Sequence, residues 1–192
     1  MTSPLPLAVP SLVPSNESYL KRLATLLEAG AIAFDRYQPV HVTSSAVIAS
    51  GDYDRCLLIR HARLGAWLYP GGHIEAKDAN PAHAAAREVL EETGLAHLVV
   101  LRLVDLDIHE VACRTVGTAT HVDMRFGAVA PAGSALQHGS DAAATLWMSR
   151  QELIIRTPKS IQRPALRWLD WLATADEAEV EVDKRSGSRC TH

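Results

Sequence analysis

The sequence predicts an α/β domain on three observations. Strand-like runs of apolar and β-branched residues, 41–50, 55–61 and 98–104, are short and end near turn residues. Two helical patterns, 81–93 and 160–174, alternate with those runs. Residues 104–109 and 121–126 alternate polar and apolar side chains with period two, as strands with two unlike faces do. A chain of 192 residues can bury one sizeable core, and 47% hydrophobic with 21% charged residues is a globular balance.

Residues 1–14 carry Pro4, Pro6, Pro10 and Pro14, a spacing that excludes a helix and predicts an extended arm. From 15 to 34 the pattern turns helical. Tyr19, Leu20, Leu23, Leu26, Leu27, Ala31 and Phe34 form one stripe, with Ser15 or Asn16 as cap. Such a helix packs on a sheet edge, and joining two copies as a homodimer is its second use. Strand 41–50 is small and β-branched, Ser50-Gly51-Asp52 marks a turn, and 55–61 returns as a buried strand. A basic-aromatic loop then leads to Gly71-Gly72, where backbone can approach a ligand closely. His61, Arg63 and His73 flank that point.

Helix 81–93 has clear boundary residues. Asn80 is a good N-cap, Pro81 suits the first helical position, and Gly94 suits the residue past the end. At about 100° per residue, Glu88, Glu91 and Glu92 fall within about a third of the circumference. They repel one another, and Glu91 and Glu92 sit where the helix dipole disfavours negative charge. The plain reading is a solvated acidic face. The functional one is a bound cation, and clustered oxygen ligands without cysteine suit Mg²⁺ or Mn²⁺.

Beyond this helix, 98–104 is an apolar strand interrupted by Arg102. It continues with Asp105, Asp107 and His109 on one face and Val104, Leu106 and Ile108 on the other. His121, Asp123 and Arg125 alternate in the same way with Val122, Met124 and Phe126. If the two strands pair around a 110–120 loop, one sheet face carries six ionisable side chains. That face is either solvated or the wall of a pocket. Residues 131–144 read as a loop containing His138 and Asp141, and Ser149 with Glu152 makes a capping box. The last helix presents Ile161, Ala165, Trp168, Leu169 and Leu172 inward, with Trp171 at the border. Residues 175–192 are charged, lack an apolar face and predict a mobile tail.

The run GGHIEAKDANPAHAAAREVLEETGL, Gly71 to Leu95, resembles the Nudix box, G-x5-E-x7-R-E-U-x-E-E-x-G-U with U aliphatic. Arg87 to Leu95 fits without a mismatch. The first half departs from the pattern. Counted from Gly72, the expected Glu falls on Asp78, and the gap from Asp78 to Arg87 is one residue longer. Asp78 and Glu75 are the two candidates for the loop acid. The resemblance covers about 40–173. It implies an α/β/α sandwich with a mixed sheet, within one domain over 15–174, and hydrolysis of a nucleoside diphosphate linked to another group. In that reading Glu88, Glu91 and Glu92 hold Mg²⁺ or Mn²⁺, and a carbonyl at Gly72 faces the metal. Glu88 or a loop acid, Asp141 or less readily Asp123, takes a proton from water, while Arg87 pairs with a box carboxylate. Arg63 and His73 then become candidate substrate contacts, and His121 and Asp123 a candidate pocket wall that orients the leaving group.

Composition narrows the partners. A net charge of −3 supplies no field to attract nucleic acid, so a small nucleotide or nucleotide conjugate is the expected partner. No apolar run approaches the ~18 residues of a membrane span, and no basic segment leads into an apolar core at the N-terminus. Cys56, Cys113 and Cys190 are scattered without metal spacing, which fits a reducing cytoplasm. Two other readings stand beside hydrolysis. An isoprenyl diphosphate isomerase needs a catalytic cysteine, and Cys56 and Cys113 lie off the box. A ligand-binding sensor without turnover usually lacks box carboxylates, and here they are whole.

Overall fold

The computed structural model describes residues 21, 24–25, 28, 34–113, 117–137, 139 and 142–175. The expected arm lies outside the described residues, as does the expected tail apart from Ala175. Lys21, Ala24, Thr25 and Glu28 are helical, as expected, but most of that helix's apolar stripe also lies outside. Phe34 corrects the stripe. It sits in a bend and is 53% exposed, so it does not belong to the helix's buried side.

Among the described residues, seven strands form one mixed sheet: β1 (Val40–Ala49), β2 (Arg55–His61), β3 (Trp67–Leu68), β4 (Gly71–His73), β5 (Val99–Cys113), β6 (Gly117–Val129) and β7 (Ala142–Ser149). The order is β3-β2-β1-β6-β5, with β4 also on β1 and β7 also on β2. The β1–β6 pair is parallel and the other described pairs are antiparallel. Helix α1 (Pro81–Thr93) covers one face, and α2 (Arg150–Arg156) and α3 (Lys159–Thr174) cover the other.

Strand β1 shows why this is a sandwich. Ala46 and Ile48 share a core with Ala85 and Val89 of α1. Val47 and Ala49 share the opposite core with Ile161, Ala165, Trp168 and Leu169 of α3. A strand buried on both faces loses its polar alternation, which explains the run AVIA. Trp168 donates its indole N–H to the Ala128 carbonyl at 3.1 Å. That close approach needs Gly127, because a Cβ there would lie 2.8 Å from the indole ring.

The partners of β1 divide along its length. Ile48 and Ala49 pair with β2, whereas Thr43, Ser44 and Ser45 pair with β4. The apolar half of β1 therefore sits within the sandwich, and the buried polar half, His41 to Ser45, lies beside the paired glycines.

Three expectations change. The 110–120 loop is mostly strand: β5 continues to Cys113 and β6 begins at Gly117. The 131–144 loop ends earlier, because β7 starts at Ala142 and pairs along β2. Val104 joins the core under α3, while Leu106 and Ile108 face α1. A register shift between Leu103 and Asp105 is the cause, since one bulged residue reverses the side-chain alternation. Among the described residues no helix is long and apolar enough to cross a membrane.

Candidate active site

Helix α1 is fixed at both ends. At its start, Asn80 Oδ1 accepts from the His83 N–H at 2.9 Å, and Ser44 Oγ donates to the Pro81 carbonyl at 2.6 Å. At its end Gly94 adopts φ 73°, a left-handed conformation that favours glycine. The exposed carbonyls of the last turn are then taken up by a loop. Gln137 N–H donates to Thr93 O at 2.8 Å, and Gly139 N–H donates to Glu92 O at 3.0 Å. The loop that carries Asp141 is thus tied to the end of the box helix. Asp141 itself, like His138, lies outside the described residues.

Arg87 is the hub of the box. Its side chain is 7% exposed, and it bridges Asp78 through Nε and Nη2, both at 3.0 Å. Nη1 reaches Glu88 Oε1 at 2.8 Å and Glu91 Oε1 at 3.4 Å, and Nη2 donates to the His73 carbonyl at 2.9 Å. The geometry favours Asp78 as the loop acid: its side chain is fully buried against Arg87, whereas that of Glu75 stays 46% exposed and 3.9 Å away. Burial works to raise the Asp78 carboxyl. Hydrogen bonds from Arg87, the Glu75 N–H and His83 overcome it and hold the group below the usual range. The shorter acid and the extra loop residue therefore still deliver a carboxylate to Arg87.

Each box glutamate has a different setting. Glu88 is mostly buried, and burial pushes its carboxyl up against the opposing pull of Arg87. It lies against Gly72, where a Cβ would come within 2.6 Å of Oε1, so a larger residue there would displace the Glu88 carboxylate. Glu92 is buried and accepts the Gly71 N–H at 3.0 Å. Glu91 is 52% exposed. Asp78, Glu88, Glu91 and, at 3.9 Å, Glu75 thus gather around the Arg87 guanidinium. That surplus of negative charge, the raised Glu88 and the all-oxygen donor set fit a hard divalent cation.

A second polar array crosses three strands. The register pairs His41 with His121 and His121 with His109, then Thr43 with Asp123 and Asp123 with Asp107, then Ser45 with Arg125 and Arg125 with Asp105. The six expected ionisable side chains do share one face. Asp105, Asp123 and Arg125 are buried, so it is not a solvated face. Arg125 binds Asp105 at 3.0 Å, Asp123 at 3.0 Å and Asp107 at 2.7 Å, and donates to Ser160 O at 2.8 Å. Asp123 also accepts from Thr43 Oγ1 at 3.2 Å and Ser45 Oγ at 2.8 Å. With three donors committed to it, Asp123 serves as a scaffold, which weakens the expectation that it acts as a base.

The sequence reading missed His41. It is fully buried, its Nε2 lies 3.1 Å from His73 Nε2, and its ring centroid is 4.7 Å from that of His121. Burial first, then neighbouring charge, lowers His73 to about 4 and His121 to about 3. Arg63 is exposed in the loop after β2. Cys56 is buried, and burial lifts its thiol to about 12, which suits packing and not nucleophilic chemistry.

A cleft of about 600 Å³ brings Arg63, Gly72, His73, Glu88, Glu91, Glu92, His121 and Asp123 together. Arg87 stands behind the carboxylates and does not line it. The site can hold a cation at its acidic end, while both polar side chains and apolar ones such as Leu64, Leu68, Val111 and Ile161 line the rest.

Comparisons with known proteins bear on the family and the fold. The NUDIX domain family matches residues 39–172. A MutT-like protein of Streptomyces ambofaciens is 29% identical over 134 residues, covering 70% of this chain and 79% of its own. A NUDIX-family hydrolase from Clostridium perfringens superposes with a TM-score of 0.55 at 23% identity, over 68% of this chain and 97% of that one. An Ap4A hydrolase of C. elegans superposes with a TM-score of 0.57 at 15% identity, over 70% of this chain and 98% of that one. The chain belongs to the Nudix family.

Proposed function

We propose that the protein hydrolyses a diphosphate linkage in a nucleoside diphosphate linked to another group, either a nucleoside triphosphate or a nucleotide-linked metabolite. Glu88, Glu91, Glu92 and the Gly72 carbonyl would hold Mg²⁺ or Mn²⁺. The observation that carries this reading is the gathering of box carboxylates around Arg87 at one end of a cleft of about 600 Å³. That volume suits a nucleotide-sized ligand. Ap4A, named for the C. elegans relative, contains phosphoanhydride links and supports the substrate class.

When bound, the divalent ion neutralises phosphoryl oxygens and acidifies water. Glu88 takes a proton from the attacking water as the new O–P bond forms. The bridging P–O bond breaks, and its electron pair leaves with the departing phosphate. Burial pushes the Glu88 carboxyl up, which suits it to accept a proton. Asp141 is the second proposed acid, because its loop is anchored to α1 through Gly139. Arg87 is a positioning residue that fixes one oxygen of Glu88. Arg63, His73 and His121 line the cleft as proposed substrate contacts.

The test is product release from a panel of nucleoside triphosphates, ADP-ribose, nucleotide sugars and dinucleoside polyphosphates with Mg²⁺ or Mn²⁺. Turnover of one class, abolished by chelation and by Glu91→Gln with Glu92→Gln, is the expected result. Tight binding of one ligand without turnover would replace hydrolysis by a sensing role.

A further inference from the structure

Histidines cluster beside the carboxylates, and the hydrolytic reading uses two of them, His73 and His121, only as cleft wall. His41, on β1, is the direct register partner of His121 on β6, and His73 on β4 closes the group. One ring nitrogen from each lies within 4.8 Å of the other two, and the Nε2 atoms of His41 and His73 are 3.1 Å apart. Two nitrogens bound to one tetrahedral ion at 2.0–2.1 Å stand about 3.3 Å apart.

Hydrogen bonding points the same way. His41 Nδ1 lies 2.7 Å from the Gln38 carbonyl, which can only accept. In the neutral ring that contact puts the proton on Nδ1 and leaves Nε2 with the lone pair. That backbone carbonyl is the kind of outer-shell partner that orients metal-bound imidazoles. His121 Nε2 is buried and has no hydrogen-bond partner, a state that native structures avoid. A hydrogen bond between His41 and His73 satisfies that pair but leaves His121 Nε2 bare.

We propose that His41, His73 and His121 form a second metal site, for a borderline divalent transition ion of the Zn²⁺ class. Imidazole nitrogens select such ions, whereas the carboxylate cluster suits harder ones. Three protein ligands leave a tetrahedral ion one open position. Because His73 and His121 line the cleft, that position is available to an oxygen of a bound ligand. The inference rests on the histidines alone and stands whether or not the carboxylates support turnover.

The experiment titrates the full chain with Zn²⁺ by calorimetry in excess Mg²⁺, and with Co²⁺ by visible absorption. One ion per chain with tetrahedral, nitrogen-ligated Co²⁺ bands is expected. His73→Gln and His121→Gln should each weaken Zn²⁺ by more than about 10-fold, the loss that even an outer-shell change can produce. Circular dichroism should show both variants folded, and Glu91→Gln should bind Zn²⁺ like the unaltered chain. His41 is fully buried, so its substitution risks the fold. Imidazole NMR signals of the unaltered chain supply the second measurement, and all three histidines should respond together at one equivalent of Zn²⁺. No saturable uptake, uptake indifferent to both histidine variants, loss of uptake in Glu91→Gln, or unmoved imidazole signals would overturn the site.

Discussion

Arg125 and Arg87 are both buried guanidiniums surrounded by carboxylates, yet they make opposite kinds of site. Arg125, 5% exposed, binds three aspartates whose side chains are 9–14% exposed. Arg167 also lies 3.3 Å from Asp105, so cations approach that cluster from two sides. Arg87 is 7% exposed, but its partners grade outward, from Asp78 at 0% through Glu88 at 16% to Glu91 at 52%. The first cluster is matched by positive charge on two sides and joins β1, β5 and β6 to α3, with Asp123 and Arg125 forming part of the cleft wall. The second is anchored on its buried side and open toward the cleft. A buried ion pair becomes a candidate reactive site when its far side is left short of positive charge.

Substitutions test that contrast. The largest effect is expected from Glu88→Gln, which keeps the shape of the open cluster and removes its proposed base. Turnover should fall by about 10²–10⁴-fold while the urea midpoint barely moves. A large loss of stability instead would make Glu88 a structural residue like the aspartates around Arg125.

Arg125→Met should do the reverse in kind. It leaves buried aspartates without their guanidinium, and urea denaturation should show a loss of about 3–5 kcal/mol. Unchanged stability would mean that the Arg125 cluster does not hold the strands together. A smaller change, about 1–3 kcal/mol, is expected for Asp78→Asn, which keeps the side-chain volume but weakens the buried partner of Arg87. Its activity should also fall, through misplacement of Glu88, and Asp78→Glu should recover less than the original residue because the loop has no room prepared for it. Lys77→Ala defines the lower limit. Lys77 is 60% exposed, and its partners Glu75 and Glu91 are exposed as well, so thermal melting should show a change within about 0.5 kcal/mol.

Legibility followed the range of the forces involved. Helix α1 was readable to the residue because Asn80, Pro81 and Gly94 act locally. The Ser149–Glu152 capping box was equally plain and forms in both directions. The face assigned to Val104 was wrong because a bulge is set by the partner strand, not by its own residues. The beginning of β7 was hidden in an alanine run with little strand preference, and pairing with β2 draws it into the sheet. His41 escaped notice although His41, Thr43 and Ser45 repeat with period two, the same rhythm as His121, Asp123 and Arg125. Nothing local says that these two triplets are neighbours.

The residue order settled the carboxylate cluster, because the 3.6-residue helical period places Glu88, Glu91 and Glu92 together without help from the rest of the chain. It also narrowed the loop acid to two candidates. Packing favours Asp78, burying it on Arg87 and leaving Glu75 outside. Packing alone built the polar array, since Thr43 meets Asp123 across a separation of 80 residues through a parallel register. Strand register depends on how two long-separated segments share a core, and their individual patterns allow more than one pairing.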